Sequence, residues 1–134
     1  MNKYEYIVNQ SRDFITLINK EYVYEVVNDS YCNAMGIKKE DIVNKRVYDI
    51  WGQERFNSLI KKDIDRCFQG EDVHLIDNFK FGDGVKYMHV TYYPYYENDE
   101  IVAALVFSHD ITKIQEMEIK LFDYEFKDSL TGLF

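Results

Sequence analysis

Three consecutive segments between residues 73 and 108 constrain the fold of this chain more than any other part of its sequence. Residues 73–81, 85–95 and 101–108 are each rich in β-branched and aromatic side chains, as β-strands are. Gly82-Asp83-Gly84 separates the first two segments, and a polar run at 97–100 separates the second from the third. Both connections are typical of hairpin turns, so we expect three neighbouring antiparallel strands.

Two more strands and several helices are predicted before this run. Residues 14–18 and 22–27 have strand composition, and residues 2–12 have the spacing of a short helix. Asn28 suits the N-cap of a helix that Gly36 would end, and short helical turns and then a longer amphipathic helix fill the stretch up to residue 68. Five antiparallel strands with helices on one face make an α+β domain.

A final helix is predicted from residue 113 onward. Thr112 and Gln115 have the spacing of a capping box. Apolar residues then recur at intervals of three and four, which is the spacing of a coiled-coil seam, and we expect this seam to support a homodimer. The alternative is an amphipathic helix that folds back on its own domain, because a seam of two heptads is short. The seam residues are Ile114, Met117, Leu121 and Tyr124.

Charge, cysteine content and motifs exclude several classes of function. The formal net charge is -8, which disfavours nucleic acid as a partner. Cys32 and Cys67 lie far apart and no Cys/His cluster has metal-ligand spacing, so we expect no metal and two free thiols in a cytoplasmic protein. No stretch contains the ~18 apolar residues that a membrane span needs. We also expect no enzyme activity from these residues, since no nucleophile or phosphate-loop motif is present.

The order of elements, together with four local motifs, resembles a PAS domain. One motif is a strand followed by Asn28 and the aromatic Tyr31, and another is the segment Met35-Gly36-Ile37-Lys38-Lys39-Glu40-Asp41-Ile42. Tyr93-Pro94 lies in the penultimate strand, and the triplet Asp110-Ile111-Thr112 resembles the one that ends many PAS cores.

The resemblance implies both a fold and a role. The PAS domain itself would span residues 13–112, after a helical cap at residues 1–12 and before a signalling helix within residues 113–134. PAS domains are sensory modules that hold a small molecule, or nothing, between sheet and helices and control a C-terminal output domain. We expect Asp110, Ile111 and Thr112 to relay the signal to the final helix.

The last residues resemble the opening motif of GGDEF-family diguanylate cyclase domains, which reads Asp-x-Leu-Thr-Gly-Leu-x-Asn-Arg. Asp128, Leu130, Thr131, Gly132 and Leu133 match it before the sequence stops. The resemblance implies a truncated GGDEF domain and a bacterial parent protein that makes cyclic di-GMP from GTP, with the present chain as its regulatory part. The alternatives are a ligand-free dimerisation scaffold and a PAS module of another output, such as a histidine kinase.

The resemblance also bears on cofactors. In the light-sensing (LOV) subclass a photoreactive cysteine stands where this sequence has Val47, so a covalent flavin adduct, which needs a sulfur nucleophile, is excluded. Haem-binding relatives take a histidine from the long helix, and residues 53–68 contain none. We interpret His74, just beyond that helix, as a hydrogen-bonded histidine rather than a haem ligand.

Strand alternation nominates one face of the sheet for a ligand pocket. Alternate residues of a strand share a face, and taking Val106 and Ser108 as inward-facing selects a mostly apolar set with a few polar members. That mixture suits a small, partly polar organic ligand, and it equally suits an ordinary core with internal hydrogen bonds. The candidate pocket residues are Thr16, Ile18, Tyr31, His74, Ile76, Asn78, Met88, Val90, Tyr92, Ala104, Val106 and Ser108.

The opposite face of the sheet is rich in aromatic and histidine side chains. We expect the N-terminal helix or a second protomer to cover it, or else cross-strand pairs to use these rings for stability alone. The residues are Tyr87, His89, Thr91, Tyr93, Phe107 and His109.

Overall fold

The computed structural model describes residues 2–82 and 84–118 of the 134-residue chain. Five strands form an antiparallel sheet in the order β2-β1-β5-β4-β3, so the predicted α+β architecture is confirmed. The strands are β1 (Phe14–Asn19), β2 (Tyr24–Val27), β3 (Val73–Phe81), β4 (Gly84–Glu97) and β5 (Glu100–Asp110).

Helices precede, cover and follow this sheet. The helix α1 (Lys3–Gln10) comes before β1, and residues 112–118 form α6 after β5. Between β2 and β3 lie α2 (Asp29–Met35), a 3-10 turn (Lys39–Asp41), α3 (Val47–Trp51), α4 (Gln53–Arg55), a π-helical turn (Phe56–Ile60) and α5 (Lys61–Phe68). The last three are continuous, so the predicted helix over residues 53–68 is present with one wide turn in it. In the described ranges, no helix combines the length and apolarity needed to cross a membrane.

The core lies between the inner sheet face and the helices that follow β2. Ile64 and Cys67 project from α5 one turn apart and are fully buried, and Ile60 precedes them on the same stripe. They belong to one apolar cluster with Met88 and Val90 of β4. The apolar stripe in the sequence of this helix therefore marks the face that packs on the sheet.

The edge of β2 is covered by the chain segment that leads into α3. Tyr24 N donates to Lys45 O (2.9 Å), and Asn44 N donates to Tyr24 O (2.9 Å). Asn44 adopts a left-handed conformation (φ 71°), which asparagine tolerates better than most non-glycine residues. This turn places Val47 and the start of α3 against β2.

The β3–β4 hairpin differs from the sequence prediction by one residue. Phe81 pairs with Gly84, so two residues separate the strands, whereas the prediction places three, 82–84, between them. Asp83 itself lies outside the described residues. Because successive side chains of a strand point to opposite faces, this difference turns every residue of β3 to the face opposite from the one predicted.

Asn28 joins three elements through its side chain, which is fully buried. Its Oδ1 accepts from the N–H groups of Ile15 (3.1 Å) and Tyr31 (3.2 Å). Its Nδ2 donates to the carbonyl oxygens of Val8 (2.9 Å) and Asp13 (2.8 Å). The predicted N-cap of α2 is thus present, and the same amide holds α1 and the start of β1 in place.

Replacing Asn28 by Ala should lower the free energy of unfolding by about 2–4 kcal/mol, because it removes four hydrogen bonds and leaves buried backbone groups unpaired. Urea denaturation of both proteins measures the difference. The matched control is Asn33→Ala, because Asn33 is exposed on α2, and it should change stability by less than about 0.5 kcal/mol. Equal effects of the two substitutions would contradict the role given to Asn28.

Candidate ligand-binding site

A cavity of about 50 Å³ lies between the inner face of the sheet and the helices. All five strands contribute to its wall, together with α2, α3 and the π-helical turn. None of the described residues that line it is charged. The lining residues are Phe14, Thr16, Ile18, Tyr24, Tyr31, Val47, Trp51, Ile60, Phe79, Phe81, Met88, Val90, Tyr92, Val106 and Ser108.

Most of the predicted pocket residues lie in this wall. They come from β1, α2, β4 and β5, where strand alternation or helix position was read in the right register: Thr16, Ile18, Tyr31, Met88, Val90, Tyr92, Val106 and Ser108. Ala104 is fully buried in the surrounding core, opposite Ile18 in the β1–β5 pairing, but does not line the cavity. Whether these residues bind a ligand stays a prediction.

The inward placement of His74, Ile76 and Asn78 is wrong. The shorter hairpin loop sets Leu75 opposite Val90, so it is Leu75 that shares the inner face, and its neighbours in sequence point outward. His74 Nδ1 lies 3.2 Å from Thr91 Oγ1, on the outer face, and Ile76 is 58% exposed. His74 is therefore a hydrogen-bonded histidine, as interpreted, but away from the cavity.

Several lining residues were missed by the sequence analysis, for two different reasons. Phe14 follows from the alternation that gave Thr16 and Ile18, and Phe79 and Phe81 follow once the hairpin loop has two residues. Tyr24, Val47, Trp51 and Ile60 reach the cavity because of how β2, α3 and the π-helical turn pack against the sheet. No local pattern encodes that packing.

Two tyrosines and the tryptophan form the polar part of the cavity wall. The hydroxyl oxygens of Tyr24 and Tyr31 are 2.7 Å apart. The indole N–H of Trp51 donates to Tyr31 Oη at 2.9 Å and is 3.2 Å from Tyr24 Oη. Each of the three side chains comes from a different element, so this cluster also ties β2, α2 and α3 together.

The cluster contains one more hydrogen-bond donor than the described residues provide acceptors for. Burial raises the pKa of Tyr24 to about 12 and raises that of Tyr31 well above its usual value, so both phenols keep their protons at neutral pH. One of these two protons serves the bond between the hydroxyls, and Trp51 can only donate. The second phenol proton has no acceptor in the described structure and is available to a hydrogen-bond acceptor inside the cavity.

The size of the cavity limits what fits in this conformation. An apolar protein cavity of about 150 Å³ accommodates one benzene molecule, about three times the volume found in this chain. A flavin or a haem would need the wall to open. Val47, at the position of the photoreactive LOV cysteine, does line the cavity and offers only methyl groups. In the described part of the chain, no group of three or more His, Cys, Asp or Glu side chains could hold a metal ion.

The predicted relay triplet joins β5 to α6, but with a different start to the helix. Thr112 N donates to Asp110 Oδ1 (2.9 Å), and Gln115 N donates to Ile111 O (2.9 Å). Thr112 Oγ1 instead accepts from Tyr87 N (3.0 Å). The predicted Thr112–Gln115 capping box is therefore wrong, and the threonine hydroxyl holds the start of α6 to β4.

A second strand takes part in this junction. Ile111 N donates to Tyr87 O (2.9 Å), and Lys86 Nζ lies 3.7 Å from Asp110 Oδ2. Partial burial opposes ionisation of Asp110, but the hydrogen bonds from Thr112 outweigh it, so the pKa of Asp110 is lowered. Next to these contacts, Met88 of β4 and Ser108 of β5 line the cavity. The cavity wall and the base of α6 are thus continuous.

The predicted seam of the final helix falls only partly within the described residues. Ile114 and Met117 are 49% and 63% exposed on α6. Leu121 and Tyr124 lie outside the described residues. An exposed apolar pair on a helix is available for contact with a second helix. The homodimer itself stays a prediction.

The outer sheet face carries the aromatic and histidine set expected there. His89 pairs with His109 across β4 and β5, and Tyr93 packs edge-on against Phe107 with ring centroids 5.9 Å apart. His74 adds to this set by stacking on His89 at 6.1 Å. Cross-strand ring contacts therefore stabilise this face, while Tyr87 and Tyr93 remain about 40% exposed.

Comparisons with known proteins agree with this fold. The model of the family described as PAS fold matches residues 8–116. A comparison with curated protein sequences gave no significant match.

Several solved structures are similar over most of the chain. The PAS domain of a protein from Colwellia psychrerythraea has a TM-score of 0.68 at 20% identity, with 83% of this chain and 96% of that chain covered. The PAS domain of BvgS from Bordetella pertussis has a TM-score of 0.61 at 15% identity, with coverages of 91% and 94%. Vibrio cholerae VqmA, described as a dimer, has a TM-score of 0.73 at 17% identity, with coverages of 85% and 53%. At these identities the likeness shows the fold.

The buried phenols predict a loss of stability in alkali. The folded protein holds the Tyr24 proton up to about pH 12, whereas an unfolded chain releases it near pH 10, about its ordinary value. The contribution of the Tyr24 hydroxyl to the free energy of unfolding is therefore constant below about pH 10. As the pH rises from there toward 12, the free energy of unfolding falls by up to about 1.4 kcal/mol per pH unit. Urea denaturation at several pH values should show a shallower fall for Tyr24→Phe than for Tyr95→Phe, which changes an exposed tyrosine. Equal slopes would contradict the burial of the Tyr24 hydroxyl.

Proposed function

This chain belongs to the PAS family, and on that premise we propose that it is the sensory module of a diguanylate cyclase. A small molecule in the central cavity, dimerisation, or both would control cyclic di-GMP synthesis by a C-terminal GGDEF domain in the parent protein. The chain itself would carry no cyclase activity. A ligand-free dimerisation scaffold and a module for another output, such as a histidine kinase, are the alternatives.

One observation carries the sensory part of this proposal, namely the spare phenol proton of the Tyr24–Tyr31–Trp51 cluster. A core built for stability alone gains nothing from a buried donor without an acceptor, since such a group costs about 1–3 kcal/mol. A bound molecule with an acceptor atom removes that cost. The cluster therefore favours a specific ligand over an empty core, and the small volume of the cavity is the observation that favours the scaffold.

The path from cavity to output supports the regulatory part. Ser108 lines the cavity and stands two residues before Asp110, and Met88 lines it next to Tyr87, which holds Thr112 and Ile111. A molecule that changes the spacing of β4 and β5 would therefore change the direction in which α6 leaves the domain. It can do so only by binding the two arrangements with unequal affinity.

The cyclase output rests on the resemblance of residues 128–133 to the GGDEF opening motif, in a segment outside the described residues. Diguanylate cyclases must bring two GTP-loaded domains face to face. A dimeric α6 whose geometry depends on the cavity would set the distance between those domains. The exposed Ile114 and Met117 give α6 an apolar surface for such a dimer.

Native mass spectrometry of protein purified without added ligand tests the sensory proposal. We expect a stoichiometric non-covalent mass that disappears on denaturation. The control is the same measurement on a Tyr24→Phe/Tyr31→Phe double variant, which removes both phenol protons of the cluster and should lower the occupied fraction. An apo mass with a tight dimer would instead establish the scaffold alternative.

In the full-length parent protein, Met117→Asp should weaken dimerisation roughly tenfold or more and lower cyclic di-GMP synthesis from GTP in parallel, because a charge would enter the seam. Sedimentation and a GTP turnover assay at the same protein concentrations measure the two effects. Gln115→Asp adds the same charge to the same turn of α6, outside the seam, and should change neither. A parent without cyclase activity, or a Met117→Asp parent that stays dimeric, would refute this coupling.

A further inference from the structure

A recess of about 190 Å³ opens beside the central cavity, between β3 and the helix formed by the π-helical turn and α5. We call it the side recess. It shares Ile60, Phe79 and Tyr92 with the wall of the central cavity, so the two spaces adjoin at these side chains. Its other lining residues are Leu59, Lys62, Asp63, Leu75, Ile76 and Asp77.

The carboxylate of Asp63 lines the side recess, and none of the described residues donates a hydrogen bond to it. The residue is 8% exposed, and its nearest cation, Arg66 Nη1, lies 3.8 Å from Oδ1, which is beyond hydrogen-bond length. Arg66 is engaged elsewhere, since its Nε donates to Glu71 at 2.7 Å. Burial raises the pKa of Asp63 in spite of the opposing charges of Lys62 and Arg66. Its charge is therefore poorly compensated by the protein.

Tyr92 presents a second unsatisfied polar group to the same space. The residue is 5% exposed, and among the described residues its hydroxyl has no hydrogen-bond partner. Burial, and then the negative charge of Asp63, raise the pKa of Tyr92, which keeps the phenol protonated at neutral pH. Tyr92 lines both spaces, so its side chain forms part of the wall between them.

Asp77 supplies a second carboxylate from the opposite side of the recess. It pairs with Met88, whose side chain lines the central cavity, so Asp77 projects from β3 toward the helices. Arg55 Nη2 stands 3.9 Å from Asp77 but donates to Asn78 O at 2.6 Å. Two carboxylates therefore face the recess. Asp77 Oδ1 accepts from Asn78 N (2.7 Å), but no cation among the described residues is hydrogen-bonded to either carboxylate.

From this arrangement we propose that the sensed molecule is a small amine. Its ammonium group binds in the side recess against Asp63 and Asp77. Its apolar body enters the central cavity, which at about 50 Å³ is too small for one benzene molecule and must widen by movement of the shared side chains Ile60, Phe79 and Tyr92. An ammonium has three donors and no acceptor. It therefore matches the Asp63 carboxylate and Asp77 Oδ2, neither of which accepts a hydrogen bond from the described residues. The central cavity has no charged side chain among its described lining residues, so it suits the uncharged part of such a molecule. This inference rests on the proposed function, because it names the ligand class of the same site.

A panel of nine probe molecules tests the charge requirement. Isopentyl, cyclohexyl and benzyl skeletons are each used as the amine, the alcohol and the carboxylate, so that shape is constant while charge changes from positive to neutral to negative. Trp51 is the single tryptophan of the chain and lines the cavity, so its fluorescence reports binding, and calorimetry gives the affinity. We expect at least one amine to bind about tenfold or more tightly than its alcohol, and no carboxylate to bind.

Two variants assign the effect to the recess. Asp63→Asn keeps the shape and removes the charge, and it should weaken the best amine about tenfold while leaving the alcohol unchanged. Asp41→Asn removes one negative charge from an exposed turn and serves as the matched control for the net charge. Circular dichroism and thermal unfolding check that Asp63→Asn remains folded, as expected for a carboxylate that accepts no hydrogen bond from the described residues.

Three results would overturn this inference. An alcohol that binds as tightly as its amine, or an amine that binds Asp63→Asn as tightly as the unchanged protein, removes the charge requirement while the chain remains a ligand-binding module. Failure of all nine probes also rejects the amine assignment. In that case native mass spectrometry of the purified protein decides separately whether the cavity holds any molecule.

Discussion

The fully buried amide of Asn28 is the contact on which the rest of the domain depends. It satisfies all four of its hydrogen-bonding positions with backbone groups of α1, of the start of β1 and of α2. An amide buried in this way is stable only if every partner is in place, since each unpaired group would cost about 1–3 kcal/mol. Asn28 therefore fixes where α2 begins, and with it the position of Tyr31 in the cavity wall.

Sequence reasoning recovered those features that depend on local chemistry. The N-cap role of Asn28, the left-handed Gly36 and the amphipathic stripe ending at Cys67 each follow from what those residues can do within a few positions of the chain. The faces of β4 and β5 followed from alternation alone. The β3 face did not, because a hairpin loop of two residues or of three fits the sequence between Phe81 and Val85 equally well, and that one residue reverses the strand.

The position of Trp51 in the cavity wall is an example of a feature that local sequence patterns do not predict. Its indole meets Tyr24 and Tyr31 only because the turn at Asn44 sets the start of α3 against β2, so three distant segments must fold before the cluster exists. The same holds for Asp63, which reads as one polar residue on an amphipathic helix and becomes a buried carboxylate only when β3 packs beside it. The polar groups that are best placed to bind a ligand are therefore brought together by tertiary packing, which no local sequence pattern predicts.

The position of β5 in the sheet restricts how a signal can leave this domain. The strand that leads to α6 is paired on both edges, with β1 on one side and β4 on the other. A slip by one residue would break both ladders and turn Ser108 away from the cavity. A change in sheet twist keeps every pairing, and twist varies over a continuous range. An output strand held in this way supports a response that is graded with occupancy and geometry, instead of a transition between two fixed registers.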